Sequence, residues 1–577
     1  MRPPRHRHWQ ILLLLPALGM RLALAQSEPP SSTDEPVLSL PPFVVDHDDR
    51  RTRTWRFVSL PEVDFELLTD VDSQQARDFA SNYFRQEQLL NQLIPERFLW
   101  RSDQPKRHLL IADPGGSAIR DSTMNALFGN IKNSGKKTGM RLMPNIRLDD
   151  GETSMVYAYS RQQTPDALVR LTLYGRSEIN FSFLTNRIRF LLARRTPALP
   201  HWFVEGLSGV YDTSEFSQDD IEIGPVLWIS GSEADALRRN SNRPRQLLPL
   251  SRLFSTLTTD QSVASREAWI RQCTLFVRWA MFAEEGRYRD ALWKFVDGTV
   301  TGGASDSFFR ECFGFSFADG RDILSDYLAT ATNDDHRIAP RRLPRTPRFQ
   351  VRRATPEEIW FGRLEWSRLA FICADQHFPE LRDAYLKNAR NTGRLAQQET
   401  TDSARIQLSL GLLEFNAKNL KTALPLLEQA TARVPGSASV YYAIAACRYQ
   451  AAHAALPADT KFSIDQTGEI LANLDLARRQ RMPMARVYTL LGNLWLNSEL
   501  TPSASDLEEL SEGIDLFPSV ARISLSVALL HAELGQIDRA LEVVYIGLQN
   551  SRSQQDIAQF YRLEETLLDQ LALLSDG

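Results

Sequence analysis

The chain has 577 residues, room for two or three ordinary domains. Hydrophobic residues make up 43% and charged residues 24%, so most of it can bury a core. A net charge of −4 lies too near balance for a general nucleic-acid or anionic-membrane binder.

Residues 1–25 read as a signal peptide. Arg2, Arg5 and Arg7 give a positive start, Ile11 to Met20 form a short apolar run, and Ala23-Leu24-Ala25 is a small-x-small cleavage site before Gln26. The run is too short to cross a bilayer comfortably, and no Cys follows it to carry a lipid anchor. Arg21 is a charge beside the cleavage site and leaves an uncleaved anchor as the alternative. No later apolar run is long enough to span a membrane. The expectation is an exported protein, periplasmic or secreted, with no integral membrane span after signal cleavage. Residues 26–52, rich in Pro, Ser and Asp, read as a flexible lead-in.

Order is expected from about Trp55. Trp55 to Ser59 and Phe65 to Thr69 look like two short strands. Ala76 to Leu93 carries apolar residues at helical spacing, and His108 to Ala112 is a buried-type strand ended by Asp113-Pro114-Gly115-Gly116. Met155 to Tyr159 and Leu168 to Tyr174 are further strands. Glu178 to Arg195 reads as a helix behind Ser177, stopped by Pro197 and Pro200. Another helix begins near Trp202, and more are expected at Ala268 to Phe282, Arg289 to Phe295, Ser305 to Phe313 and Gly320 to Leu328. The four cysteines, Cys273, Cys312, Cys373 and Cys447, are spaced too irregularly for a metal motif. They are expected as mostly buried thiols, with Cys273 and Cys312 the first pair to test for a bridge.

Residues 339–357 gather Arg341, Arg342, Arg345, Arg348, Arg352 and Arg353 among prolines. This is the pattern of a solvated interdomain linker, with a dock for a phosphate-rich surface as the alternative. From Glu358 the chain reads as helical to its end.

That helical part, 358–577, resembles tetratricopeptide repeats, whose period is about 34 residues. The unit starting at Ala404 places Leu410-Gly411, Ala423, Leu427, Ala430 and Pro435 at the signature positions. Further units start at Ala438 with Tyr441, at Ala485 with Gly492 and Trp495, and at Ala521 with Gly535 and Ala540. An insertion around Leu456 to Ser463 interrupts the second, and Trp360 to Arg394 reads as a degenerate leading pair. Leu410, Gly411, Ala423, Tyr441, Gly492 and Trp495 define the repeats and are mainly structural. Such pairs must stack to bury their apolar faces, and the stack leaves a groove for a protein or peptide partner.

Leu199-Pro200-His201-Trp202-Phe203-Val204-Glu205-Gly206-Leu207-Ser208 resembles the Pro-x-Trp-x-x-Glu-Gly-Leu-Ala segment of gluzincin-type metallopeptidases of the peptidase MA superfamily. The resemblance extends over residues 53–338 and implies an α+β gluzincin-like domain ahead of the all-α solenoid. In that family the Glu is the third zinc ligand, and His-Glu-x-x-His on the preceding helix gives the other two and the general base. This chain has no such motif. Its register falls on Thr185, Asn186 and Arg189, with Glu205 retained. The implied reading is a domain without metal, cofactor or catalytic residues, in which Arg189 can pair with Glu205. His201 with Glu205, four residues apart on one helix, is a two-ligand alternative too poor for zinc. Neither a Gly-x-Ser-x-Gly elbow nor a phosphate-cradling loop is present. The expectation is a non-catalytic, protein- or peptide-binding scaffold. Its alternative is an active metalloprotease with ligands rearranged around Glu205.

Overall fold

The computed structural model describes residues 54–60, 65–69, 72–98, 108–113, 145–149, 155–160, 188–189, 191–192, 195–212, 214–216, 221–226, 228, 247–255, 263–333, 335–338, 345–377, 379–400, 402–457, 460–480, 483–551 and 553–575. The expected signal segment, the lead-in 26–52, the strand at Leu168 to Tyr174, the start of the Glu178 helix, and Arg341 and Arg342 lie outside these residues.

The chain opens with strands β1 (Arg56–Leu60) and β2 (Phe65–Thr69), helix α1 (Ser73–Leu93), and strands β3 (His108–Asp113), β4 (Asn145–Asp149) and β5 (Met155–Ser160). Helix α2 (His201–Asp212), short strands β6 (Ser214–Phe216) and β7 (Ile221–Ile223), and helices α3 (Val263–Phe282), α4 (Arg289–Gly302), α5 (Asp306–Phe313) and α6 (Phe317–Ala331) follow. Then come β8 (His336–Ile338) and β9 (Arg352–Arg353). Local sequence sets the ends. Ser305 Oγ accepts from Phe308 N ahead of α5, which closes on Gly314 at φ 87°. Ser316 and Asp319 form a reciprocal capping box at the start of α6.

Among the described residues, six strands form one mixed sheet in the order β4-β5-β3-β2-β1-β9. β2, β3 and β5 are parallel neighbours, while β1, β4 and β9 pair antiparallel. The parallel step from β2 to β3 is bridged by α1, since parallel neighbours need a crossover. β6, β7 and β8 make a separate three-stranded sheet.

Two cores meet at the larger sheet. In β1 and β2, Val58 stands opposite Leu67, and Phe57 opposite Leu68. Successive side chains of a strand point to opposite faces. Val58 and Leu67 join one core with Ala76, Ala80, Tyr83 and Phe84 of α1 and the helices beyond. Phe57 and Leu68 join the other with Trp360, Leu364 and Trp366. The first core is dense in aromatic rings: Trp202, Phe254, Phe276, Phe295, Phe309 and Phe313 meet at centroid distances between 4.5 and 6.2 Å. Such edge and offset contacts add to area burial.

The rest is helical: α7 (Pro356–His377), α8 (Arg382–Glu399), α9 (Ala404–Asn416), α10 (Leu420–Thr431), α11 (Ala438–Ala455), α12 (Ile464–Arg478), α13 (Ala485–Leu496), α14 (Ala504–Leu516), α15 (Ala521–Glu533), α16 (Ile537–Asn550) and α17 (Gln554–Ser575). They pack as consecutive pairs, α7 with α8 through α15 with α16, closed by α17. The first helices of successive pairs also pack on one another: α7 on α9, α9 on α11, α11 on α13 and α13 on α15. This is a tetratricopeptide-like array. The insertion after α11 is pinned: Phe462 is buried, its N–H donates to Asn497 O at 2.7 Å, and its carbonyl accepts from Glu499 N at 2.9 Å. Among the described residues no helix is long and apolar enough to cross a membrane.

Within 339–357, expected as a linker, the described residues are built in. Phe349 is buried in the first core, Arg352–Arg353 pairs with β1, and Pro356 already belongs to α7. The cause is the open edge of β1, which takes a strand there. Arg352 also lies over the Phe57 ring, 4.7 Å from its centroid, and bonds Glu358. A second tie joins sheet and array. Glu66 of β2, 1% exposed, accepts from Arg405 of α9, whose guanidinium lies 3.5 Å from the Phe361 ring centroid. Removing one partner of a buried pair takes from the remaining charge its direct hydrogen-bonded counterion. Arg405→Ala is therefore expected to lower stability by about 2 kcal/mol, below the full buried-pair cost because the arginine is partly exposed. Urea denaturation of the full chain measures it, and an unchanged midpoint would show the tie to be idle.

Candidate functional site

Helix α2 starts directly after Pro200, whose carbonyl accepts from Phe203 N at 3.0 Å and Val204 N at 3.2 Å. Trp202 and Phe203 point into the aromatic core and are buried. His201 is exposed on the first turn. Glu205 stands one turn on, with its side chain 18% exposed, and Arg189 Nη2 donates to Glu205 Oε2 at 2.9 Å. Residues 188–189 and 191–192 are helical, and Ile188, Leu191 and Leu192 are buried, so Arg189 is held at the rim of the core. Thr185 and Asn186 lie outside the described residues.

The other side of α2 rests on α3. A β-carbon at Gly206 would come within 2.6 Å of Cys273 O, and one at Gly209 within 2.0 Å of Thr274 Oγ1. Burial, with the Glu205 carboxylate adding to it, pushes the Cys273 thiol well above its usual range. It is a packed thiol rather than a nucleophile. All four cysteines are free. Among the described residues no group of three or more His, Cys, Asp and Glu is placed to hold a metal ion. Chemically, the Arg189–Glu205 contact occupies a carboxylate oxygen and sets a fixed positive charge beside it, which opposes a divalent cation.

In the array, the repeat-defining residues sit between helices. Leu410 is buried in the core shared with the sheet, and a β-carbon on Gly411 would meet Leu427 Cδ2 at 2.5 Å. Ala423 is fully buried. Tyr441 is half-buried, and its hydroxyl accepts from Gly436 N at 3.1 Å. A β-carbon on Gly492 would meet Ser526 Cβ at 2.6 Å, and Trp495 is buried among α11, α13 and α14 residues. These six residues hold helices together; none offers an open contact face.

Other side chains on the first helices, offset around each helix from the packed ones, stay partly or wholly exposed. Phe415 of α9 meets Tyr442 of α11 at 6.0 Å, and Arg486 of α13 lies 4.3 Å from the Tyr442 ring centroid. Further along, Arg522 of α15 donates to Asn493 Oδ1 of α13 from Nη2 at 3.1 Å and from Nε at 3.3 Å. Burial pushes the Tyr449 phenol up, and the nearby Arg522 charge pulls it partly back. Sequence reasoning missed this row because the repeat pattern marks packed positions. The available signal was the Arg or Tyr that recurs beside them at Tyr442, Arg486 and Arg522.

No family model matches the chain, and no curated protein matches it. Solved structures match part of it. MamA is 17% identical over 30% of this chain and 92% of its own, with a TM-score of 0.24. A thermophilic TPR protein of Thermus thermophilus is 17% identical over 32% of this chain and 92% of its own, TM-score 0.23. PilF of Pseudomonas aeruginosa is 17% identical over 37% of this chain and 94% of its own, TM-score 0.26.

Proposed function

We propose that this chain is an exported, non-catalytic scaffold that binds a protein or peptide through its tetratricopeptide-like array, beside a metallopeptidase-like domain that holds no zinc. The observation that carries the reading is the row of side chains along the first helices of successive pairs, Tyr442, Arg486, Asn493 and Arg522, at the contacts between neighbouring units. Stacked pairs present such a row to one ligand at once, as helix-in-groove and extended-peptide binders do. The Arg189–Glu205 ion pair supports the non-catalytic half: the guanidinium sits where the resemblance would place a metal-binding imidazole. The Glu-Gly-Leu stretch has a packing reason of its own in the approach of α2 to α3. Export rests on residues 1–25 as read from the sequence.

Metal analysis of the purified full-length protein tests the non-catalytic half. The expected zinc content is far below one per chain, with no thermal shift on adding zinc. A tightly held stoichiometric zinc that Glu205→Ala removes would overturn it and return the rearranged-ligand protease.

A further inference from the structure

Large apolar side chains left exposed among the described residues gather at the far end of the array. Tyr545 and Ile546 of α16 and Tyr561 and Leu568 of α17 are between 41% and 58% exposed, while the rest of the structure leaves Ile464, Leu476 and Leu529 in that state. Tyr545 lies against Glu564, whose carboxylate raises the pKa of the phenol. Glu564 comes three residues after Tyr561 and four before Leu568 on α17, so these side chains form one surface. α17 packs on α16 and α15 as the first helix of a further pair would, and among the described residues no helix pairs with it. Its inward stripe, Phe560, Leu563, Leu567 and Leu571, fills the last core. A second stripe, Tyr561, Glu565, Leu568 and Ala572, recurs at i, i+4, i+7 and i+11 and faces out. The end of a solenoid is ordinarily closed by a polar face. This one sets a tyrosine and a leucine in its outward stripe.

We infer that the outer face of α17 is a homodimer interface, covered by a second copy of this chain. The occupant follows from charge complementarity. Arg562 and Asp569 flank the outward stripe, exposed and seven residues apart, as are Tyr561 and Leu568. Both pairs are centred on the level of Glu565. A two-fold axis there lays a second α17 antiparallel on the first, with Tyr561 over the second copy's Leu568 and Arg562 beside the second copy's Asp569, each contact made twice. A parallel pairing would set arginine on arginine and aspartate on aspartate. The inference goes beyond the scaffold reading, which needs no dimer. α17 has 22 residues and is about 33 Å long. A single helix pair of that length buries less than the roughly 1,200 Å² of a standard interface, so the dimer is a weak one.

Sedimentation equilibrium of the full-length chain tests it. The expected result is a monomer–dimer equilibrium with a dissociation constant of about 10 µM. Leu568→Glu is expected to weaken it by about tenfold or more at unchanged circular dichroism, because the side chain it replaces is exposed in the monomer. Arg562→Asp alone and Asp569→Arg alone are each expected to weaken it as well, since like charges then face each other. An equimolar mixture of those two variants is expected to associate again, because every facing pair in the mixed dimer is of opposite charge. Glu565→Gln removes two like charges at the axis and is expected to tighten the dimer by about threefold. A chain still monomeric at about 500 µM, far above the expected constant, would overturn the inference. So would a dimer that Leu568→Glu leaves unchanged, which would place the contact elsewhere. A mixture of the two charge variants that associates no better than either alone would overturn the two-fold pairing and the inference with it.

Discussion

A fragment begun at Glu358 is expected to keep a folded far end and lose its near end. The array looks separable in the sequence, yet α7 packs on β2, β4 and β5, and its core takes Phe57 and Leu68 from the sheet. Cutting before α7 strips that cover and removes Glu66 from Arg405. Each large apolar side chain returned to water costs about 1.5–3 kcal/mol, against a total stability of about 5–15 kcal/mol for an ordinary domain. The cores around α13 to α17 draw on no residue before Phe415 and stay whole. Repeat arrays melt by nearest-neighbour units, so the damage should stay local. Hydrogen–deuterium exchange reads this directly. In the fragment the amides of α7 and α8 should exchange orders of magnitude faster than in the full chain, while those of α13 and α15 stay protected. Equal protection of α7 in both would show that the sheet contributes nothing to the array.

That dependence was legible in one respect. β1 and β2 each carry two large apolar residues in succession, Phe57-Val58 and Leu67-Leu68. A strand with one wet face alternates; consecutive apolar residues signal burial on both sides. The pattern gives both strands but not the owner of the second face, which lies some three hundred residues away in the chain. β3 and β5 are visible as apolar runs. β4, Asn-Ile-Arg-Leu-Asp, is an edge strand without such a run, and β6, β7 and β8 have three residues each, too short for any period to register. β9 is two arginines and becomes a strand only because β1 has an open edge. The repeat helices were the most legible part: starts at Ala404, Ala438, Ala485, Ala504 and Ala521 coincide with the observed helices, and Ala404, Ala438 and Ala521 are buried there. At the candidate site, the expectation that Arg189 can pair with Glu205 came from the register implied by the resemblance, and the two side chains meet at 2.9 Å. The row of outward side chains stayed hidden, since outward positions obey no packing rule and only the assembled neighbours show which of them line up.

Gly206→Ala is expected to be among the most damaging small substitutions in the chain, costing about 3 kcal/mol. The added methyl would sit 2.6 Å from Cys273 O and 2.7 Å from Val277 Cγ2. The first neighbour is backbone in the middle of α3, so no rotamer change relieves the clash; the helices must part. Parting them opens a core in which Leu207, Val210, Cys273 and Val277 are almost wholly buried. Gly209→Ala meets Thr274 Oγ1 at 2.0 Å instead. That hydroxyl could rotate away, but it would give up its bond to Ile270 O at 3.0 Å, and Thr274 Cβ would remain at 3.0 Å. The control is Gly468→Ala in α12, where a β-carbon meets nothing within 4 Å. It should stabilise by about 0.5–1 kcal/mol, because alanine narrows the unfolded ensemble and favours the helix. Urea denaturation of the three variants orders them, with Gly468→Ala above wild type and Gly206→Ala lowest. If Gly206→Ala unfolded with the wild-type midpoint, α2 and α3 would not approach as closely as described. The Glu-Gly-Leu stretch would then need a reason other than packing, and a role for Glu205 in binding a metal would regain its force.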